Sequence, residues 1–256
     1  MRRFRIPLGR VLGIQLWLHA SWFLVAGLAV WTISSAFRDG FPDLPLAERL
    51  LMGVIAATSF FGCLVTHELA HAIVARRFGV QVRGITLFLL GGVAEIEGDL
   101  PTPAKEFAVA LAGPATSLVL GAAFALLWRL SVAAQWTGAE GVTFAIATAN
   151  LGVAVFNLVP GLPLDGGRLL RAGLWRRSGS FPKATRTASA AGRVVAVLLA
   201  IAGALAFALG DPTGLWYIPM GGFIFLMARS AGRAEPPVSR GALAWSGESD
   251  AARSGS

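Results

Sequence analysis

Residues 50–75 read LLMGVIAATSFFGCLVTHELAHAIVA, and this stretch decides the fold class. At a rise of 1.5 Å per residue an apolar run of this length exceeds the roughly 30 Å hydrocarbon core of a bilayer. Its polar core is His67-Glu68-Leu69-Ala70-His71. Working outward, five more apolar segments occur at about 14–36, 107–130, 142–160, 189–209 and 213–228. The 256-residue chain is 55% hydrophobic and 14% charged, with mean hydropathy +0.66, whereas soluble domains carry about a quarter charged residues. That composition excludes a soluble enzyme, a disordered chain and a disulfide scaffold. It predicts an all-α polytopic membrane protein of about six transmembrane helices.

Residues 80–98, VQVRGITLFLLGGVAEIEG, are the exception to the helical pattern. β-branched residues, the Gly91-Gly92 break and an acidic end predict a short membrane-associated β-hairpin or sheet after the second helix. Residues 166–188 are basic with scattered apolar positions and are expected to lie along the membrane interface. The transmembrane unit is expected to span 1–231. The polar, Ser- and Gly-containing segment 232–256, with Pro236-Pro237, reads as a disordered tail. Trp17 and Trp22 read as interfacial anchors.

The net charge of +8 does not point to nucleic acid, because the basic residues sit between apolar runs rather than on one polar face. Nineteen of the 22 lysines and arginines fall on one side of the six spans: before the first, between the second and third, between the fourth and fifth, and after the sixth. Only Arg38, Arg49 and Arg129 fall on the other. Both termini are therefore expected in the cytoplasm. The single cysteine, Cys63, permits no intramolecular disulfide and, one turn before His67, reads as a small packing residue. Three histidines (His19, His67 and His71) are too few for a multi-histidine di-iron site but enough for one mononuclear metal.

Histidines four apart share a helix face, so His67 and His71 can hold one ion with Glu68 beside it. Zinc suits such a site, taking three protein ligands and leaving a position for water, from which the glutamate removes a proton. Ionisable groups inside a span are costly and usually functional, although a polar face satisfied by neighbouring helices would also account for them. A third ligand is needed, and the candidates are Asp165, Glu95, Glu97, Asp99 and His19. Depth favours Asp165. His71 lies five residues before Arg76, roughly 8 Å of helical rise, and Asp165 lies three residues before Arg168, so both approach the cytoplasmic face. Pro160 and Pro163 also interrupt the fourth helix and let irregular backbone present the carboxylate. An ordinary Asp-Gly turn is the plain alternative.

His67-Glu68-x-x-His71 on one span, with Asn157-x-x-Pro160-x-x-Pro163-Leu-Asp165-Gly166-Gly167 on a later one, resembles the site-2 protease family of intramembrane zinc metalloproteases. The opening Gly13-Ile14…His19-Ala20-Ser21-Trp22-Phe23 and the Gly91-Gly92 segment are similar to its compact bacterial and archaeal branch, and the resemblance covers about residues 5–230. It implies one Zn2+ held by His67, His71 and Asp165, Glu68 as general base, and Asn157 holding substrate or the polarised carbonyl. It also implies cleavage in or near a transmembrane helix of a single-span membrane protein, for example an anti-sigma factor or similar signalling precursor. The expected setting is a bacterial or archaeal cell membrane, with the site nearer the cytoplasmic face. Ala112-Gly113-Pro114-Ala-Thr-Ser117 carries serine where many members have asparagine. Many of this branch also append paired nucleotide-binding CBS domains, where this sequence has only the short polar tail.

Segment 84–97 could offer a strand edge to an extended substrate, or could simply plug the protein core. Two readings from other classes remain, a metal-ion transporter and a catalytically inactive membrane scaffold. A transporter needs polar groups continuing across the bilayer. The outer halves of the second and fourth spans offer only Thr58, Ser59, Thr143, Thr148 and Asn150. An inactive scaffold need not retain His67, Glu68, His71 and Asp165 together.

Overall fold

A computed structural model describes residues 5–233 apart from 89, 90, 98, 99 and 212, so the expected tail lies almost entirely outside the described residues. Two strands open the chain, β1 (Arg5–Val11) and β2 (Ile14–His19), followed by helices α1 (Ser21–Gly40) and α2 (Leu46–Arg77). Strands β3 (Gln81–Phe88) and β4 (Gly91–Glu97) come next. Helices α3 (Pro103–Ala133), α4 (Thr137–Asn157), α5 (Asp165–Ser178), α6 (Phe181–Ala208) and α7 (Gly214–Ala231) complete the described chain. Among the described residues five helices (α1, α2, α3, α4 and α6), against about six expected, are long and apolar enough to cross a bilayer, as in a multi-pass membrane protein. The 18-residue α7, about 27 Å long, packs against α6.

The first apolar run divides differently from the expected 14–36 helix. Ile14, Leu16 and Leu18 are buried and alternate with half-buried Gln15, Trp17 and His19, a period of two that makes this piece a strand. The helix follows, from Ser21. Overall hydrophobicity concealed the alternation, because Trp17 is itself apolar. The sheet therefore has four strands in the order β1-β2-β3-β4, with β2 and β3 parallel and both outer pairs antiparallel. The hairpin expected after the second helix is β3–β4, and the N-terminal hairpin β1–β2 adds to it. A tight turn joins β1 and β2 with positive φ at Leu12 (51°) and Gly13 (74°). The Arg76 guanidinium donates to the Leu12 carbonyl at 2.7 Å and ties this turn to the end of α2.

One face of the sheet is buried on α2, where Ile14, Leu16, Leu18, Ile85 and Leu87 pack with Leu69 and Ala72. This contact turns the other face of α2, with His67 and His71, toward α3. The two sheet edges differ. Strand β1 carries Pro7 and a bulge between Pro7 and Gly9, features that blunt an edge against further pairing. Strand β4 has no proline and lies against α2.

Trp22 is half-buried, and its ring packs on Phe61 of α2 with centroids 4.7 Å apart. Cys63 is buried with Ala56 and Ile146. The basic stretch expected along the interface resolves into α5 and the first turns of α6, separated by Gly179 at φ 66°.

Candidate metal centre

Three buried side chains converge where α2, α3 and α5 meet. His67 Nε2 lies 3.2 Å from His71 Nε2, and Asp165 Oδ2 lies 3.3 Å and 3.2 Å from these two nitrogens. Among the described residues these three form the group able to hold a metal ion. A tetrahedral ion with bonds of about 2.0–2.1 Å separates its ligands by about 3.3 Å, so the triangle has the size of a zinc site.

The outer partners set which nitrogen faces the centre. His71 Nδ1 lies 2.6 Å from the Val109 carbonyl, which can only accept, so Nδ1 carries the proton and Nε2 is left with its lone pair. His67 Nδ1 lies 2.8 Å from Ser117 Oγ, a hydroxyl able to accept from Nδ1–H and so hold the second ring with Nε2 toward the centre. Two imidazole lone pairs and a carboxylate oxygen at these separations repel unless a cation or protons lie among them. The donor set therefore fits a divalent ion. Replacing Ser117 with alanine removes only this anchor. The expected result is a loss of about 10-fold in metal affinity by chelator competition, with little change in thermal stability.

Backbone packing brings Asp165 to the histidines. The loop 158–164 folds tightly over the start of α5: a Cβ on Gly166 would lie 2.2 Å from the Leu158 carbonyl oxygen, and one on Gly167 2.2 Å from Leu162 N. Asp165 opens α5, where the helix dipole favours a carboxylate, and Arg168 Nη1 stands 3.8 Å from its free Oδ1. The Asp-Gly-Gly sequence is thus a compressed helix start rather than a free turn.

Glu68 is half-buried beside the triad. A Cβ on Gly92 of β4 would lie 2.4 Å from Glu68 Cγ and 3.0 Å from its Oε1, so the β4 backbone passes directly over this carboxylate. Asn157 is the half-buried last residue of α4, and its amide makes no hydrogen bond among the described residues. Among the other third-ligand candidates, His19 ends β2 and bonds Ser21 Oγ through Nδ1 at 2.8 Å, apart from the triad. Asp99 and the side chains of Glu95 and Glu97 lie outside the described residues.

Sequence reasoning did not find the part played by α3. Gly113 faces both metal-side nitrogens: a Cβ there would lie 2.2 Å from His71 Nε2 and 2.5 Å from His67 Nε2. Val109 contributes a carbonyl, a group no sequence pattern marks. A glycine-proline pair inside an apolar helical run was the available signal, because both residues are poor helix formers.

The model of peptidase family M50 matches residues 55–133 and 131–202. "Putative zinc metalloprotease Rip3" of Mycobacterium tuberculosis is 43% identical over 230 residues, covering 89% of this chain and 58% of the relative. "Putative zinc metalloprotease sll0528" of Synechocystis is 37% identical over 232 residues, covering 89% and 60%. The chain thus spans about three-fifths of the length of these relatives. The solved structure of the site-2 protease from Methanocaldococcus jannaschii superposes with a TM-score of 0.58 at 24% identity, over 92% of this chain and 99% of that one, a likeness of fold. With the family model matching more than half its length, the chain belongs to peptidase family M50, the family of the site-2 proteases.

Proposed function

We propose that the protein is an intramembrane zinc metalloprotease that hydrolyses a peptide bond in or beside the transmembrane helix of a single-span membrane protein, such as an anti-sigma factor or similar signalling precursor. The observation that carries this reading is the convergence of His67, His71 and Asp165 at 3.2–3.3 Å, with Glu68 beside them, inside a bundle of membrane-crossing helices. In this reading the three converging atoms hold one Zn2+, whose bound form supplies Lewis-acid polarisation and lowers the pKa of a water toward neutrality. Glu68 takes a proton from the attacking water and returns it to the leaving amine. The Asn157 amide steadies the oxygen on which negative charge develops.

A helical substrate must unwind before its backbone can be attacked. Strand β4 offers the place: its outer edge carries no proline and its backbone lies over Glu68, while the far edge of the sheet is blocked by Pro7. A substrate strand pairing with β4 brings its carbonyl to the centre by β-augmentation. Cross-linking checks this pairing. Cysteines placed along the substrate segment should bond Ala94→Cys at every second position, as a strand requires, and a period near 3.6 would remove β4 from the binding step.

In this reading the membrane is that of a bacterial or archaeal cell, and the positive charges favour cytoplasmic termini with the centre nearer that face. An ion path gains no support from the polar residues of α4. The Thr143 and Thr148 hydroxyls and the Asn150 amide donate to carbonyls of their own helix rather than lining a continuous route. The direct test is cleavage of a single-span protein co-reconstituted in vesicles. It should stop on chelation and return with zinc, and cleavage indifferent to chelation would overturn the assignment.

A further inference from the structure

Helix α3 carries four residues on one stripe, Glu106, Val109, Gly113 and Ser117, at helical spacings of three and four. Three of them contact or face the histidines. The fourth, Glu106, faces α5 instead. It is 1% exposed, and its Oε1 accepts from Arg171 Nε at 2.7 Å and also from Nη2, while Oε2 is buried without a partner among the described residues. The Arg171 guanidinium lies over the Phe181 ring at 4.8 Å, so this one side chain joins α3, α5 and α6. Arg168, one turn earlier on α5, feels the charge of both Glu106 and Asp165.

We propose that Glu106 is a positioning residue of the metal centre: by gripping Arg171 through a two-pronged bond it fixes α5 on α3 and so sets Asp165 against His67 and His71. The proposal rests on the metal reading of that triad. A buried ion pair adds little net stability compared with an apolar contact of the same size, but two donors on one oxygen fix the relative placement of the helices that carry them. Placement matters here. A slide of α5 by one residue moves Asp165 about 1.5 Å along the helix axis, a large step beside ligand separations of 3.2–3.3 Å. Helix α3 would then hold both halves of the centre, the histidines through Val109 and Ser117 and the aspartate through Glu106.

The test uses the full-length protein in detergent, with zinc affinity measured by chelator competition and Co2+ as a spectroscopic probe of the ligand set. Glu106→Gln should lower affinity about 10-fold or more and move the Co2+ visible spectrum toward that of Asp165→Asn. Arg171→Gln should do the same, and the double variant should lose no more than either single one, as for two residues acting through one contact. Arg171→Lys, which keeps the charge without the fork, should fall between. A Glu106→Gln protein with wild-type affinity and spectrum overturns the proposal. So does one that melts earlier but binds normally per folded molecule, because the pair then serves stability alone. Wild-type protein that binds no divalent ion overturns the metal reading itself, and this proposal with it.

Discussion

Glu68→Gln is expected to abolish peptide cleavage while leaving the metal in place. The glutamate is not among the three converging ligand atoms, and glutamine has nearly the same shape, so the contact with the β4 backbone over Gly92 survives. What disappears is the basicity needed to take a proton from water and return it to the leaving amine. Loss of a general acid–base group costs about 10²- to 10⁴-fold in rate, or about 3–5 kcal/mol of transition-state stabilisation. The measurement is the single-turnover cleavage rate in vesicles beside metal content by elemental analysis. Unchanged cleavage by the variant would move the base elsewhere. Cleavage and metal lost together would make Glu68 part of the binding shell.

Gly113→Ala should lose the metal as well as the activity. The added methyl would sit 2.2 Å from His71 Nε2 and 2.5 Å from His67 Nε2, about 1 Å inside ordinary contact with each. Neither ring can yield freely, because Nδ1 of each is anchored on α3 itself, at Val109 and Ser117. Relief must come by separating α2 from α3 or by breaking those anchors, and either spreads the ligand triangle. Metal affinity should fall by more than the about 10- to 100-fold typical of losing one outer partner. Gly62→Ala serves as the control: on the same helix as the histidines, it has open space where its Cβ would go, and its metal content should match wild type. Equal metal content in both variants would mean that the close approach at Gly113 does not govern the centre.

These two expectations draw on different sources. Glu68 is legible in the sequence because its chemistry is local: helix geometry alone puts His67 and His71 on one face with Glu68 beside them, whatever surrounds the helix. Gly113 is not legible in the same way. Nothing in residues 103–133 states that the histidines of a helix some forty residues earlier come within contact distance of it, and only the packing of α2 on α3 decides that. Ser117 lies between these cases. Its motif is visible, but its bond to His67 spans fifty residues and depends on the same packing.

The fold divides along the same line. Long apolar runs announced the membrane helices, and Gly91-Gly92 with the β-branched residues around it announced β3 and β4. The N-terminal hairpin stayed hidden because Ile14, Gln15, Leu16, Trp17 and Leu18 lead directly into an apolar helix, and summed hydrophobicity hides a period of two. Its partner in the sheet is β3, more than sixty residues away. By itself, then, the sequence determined the apolar setting, most of the long helices and the HExxH face, all properties of one segment and its surroundings. The tertiary structure decided the four-stranded sheet, the place of Asp165 at the histidines and the contacts of α3 with His67, His71 and Arg171. Each of these depends on the relative position of elements distant in the chain, which local periodicity cannot encode.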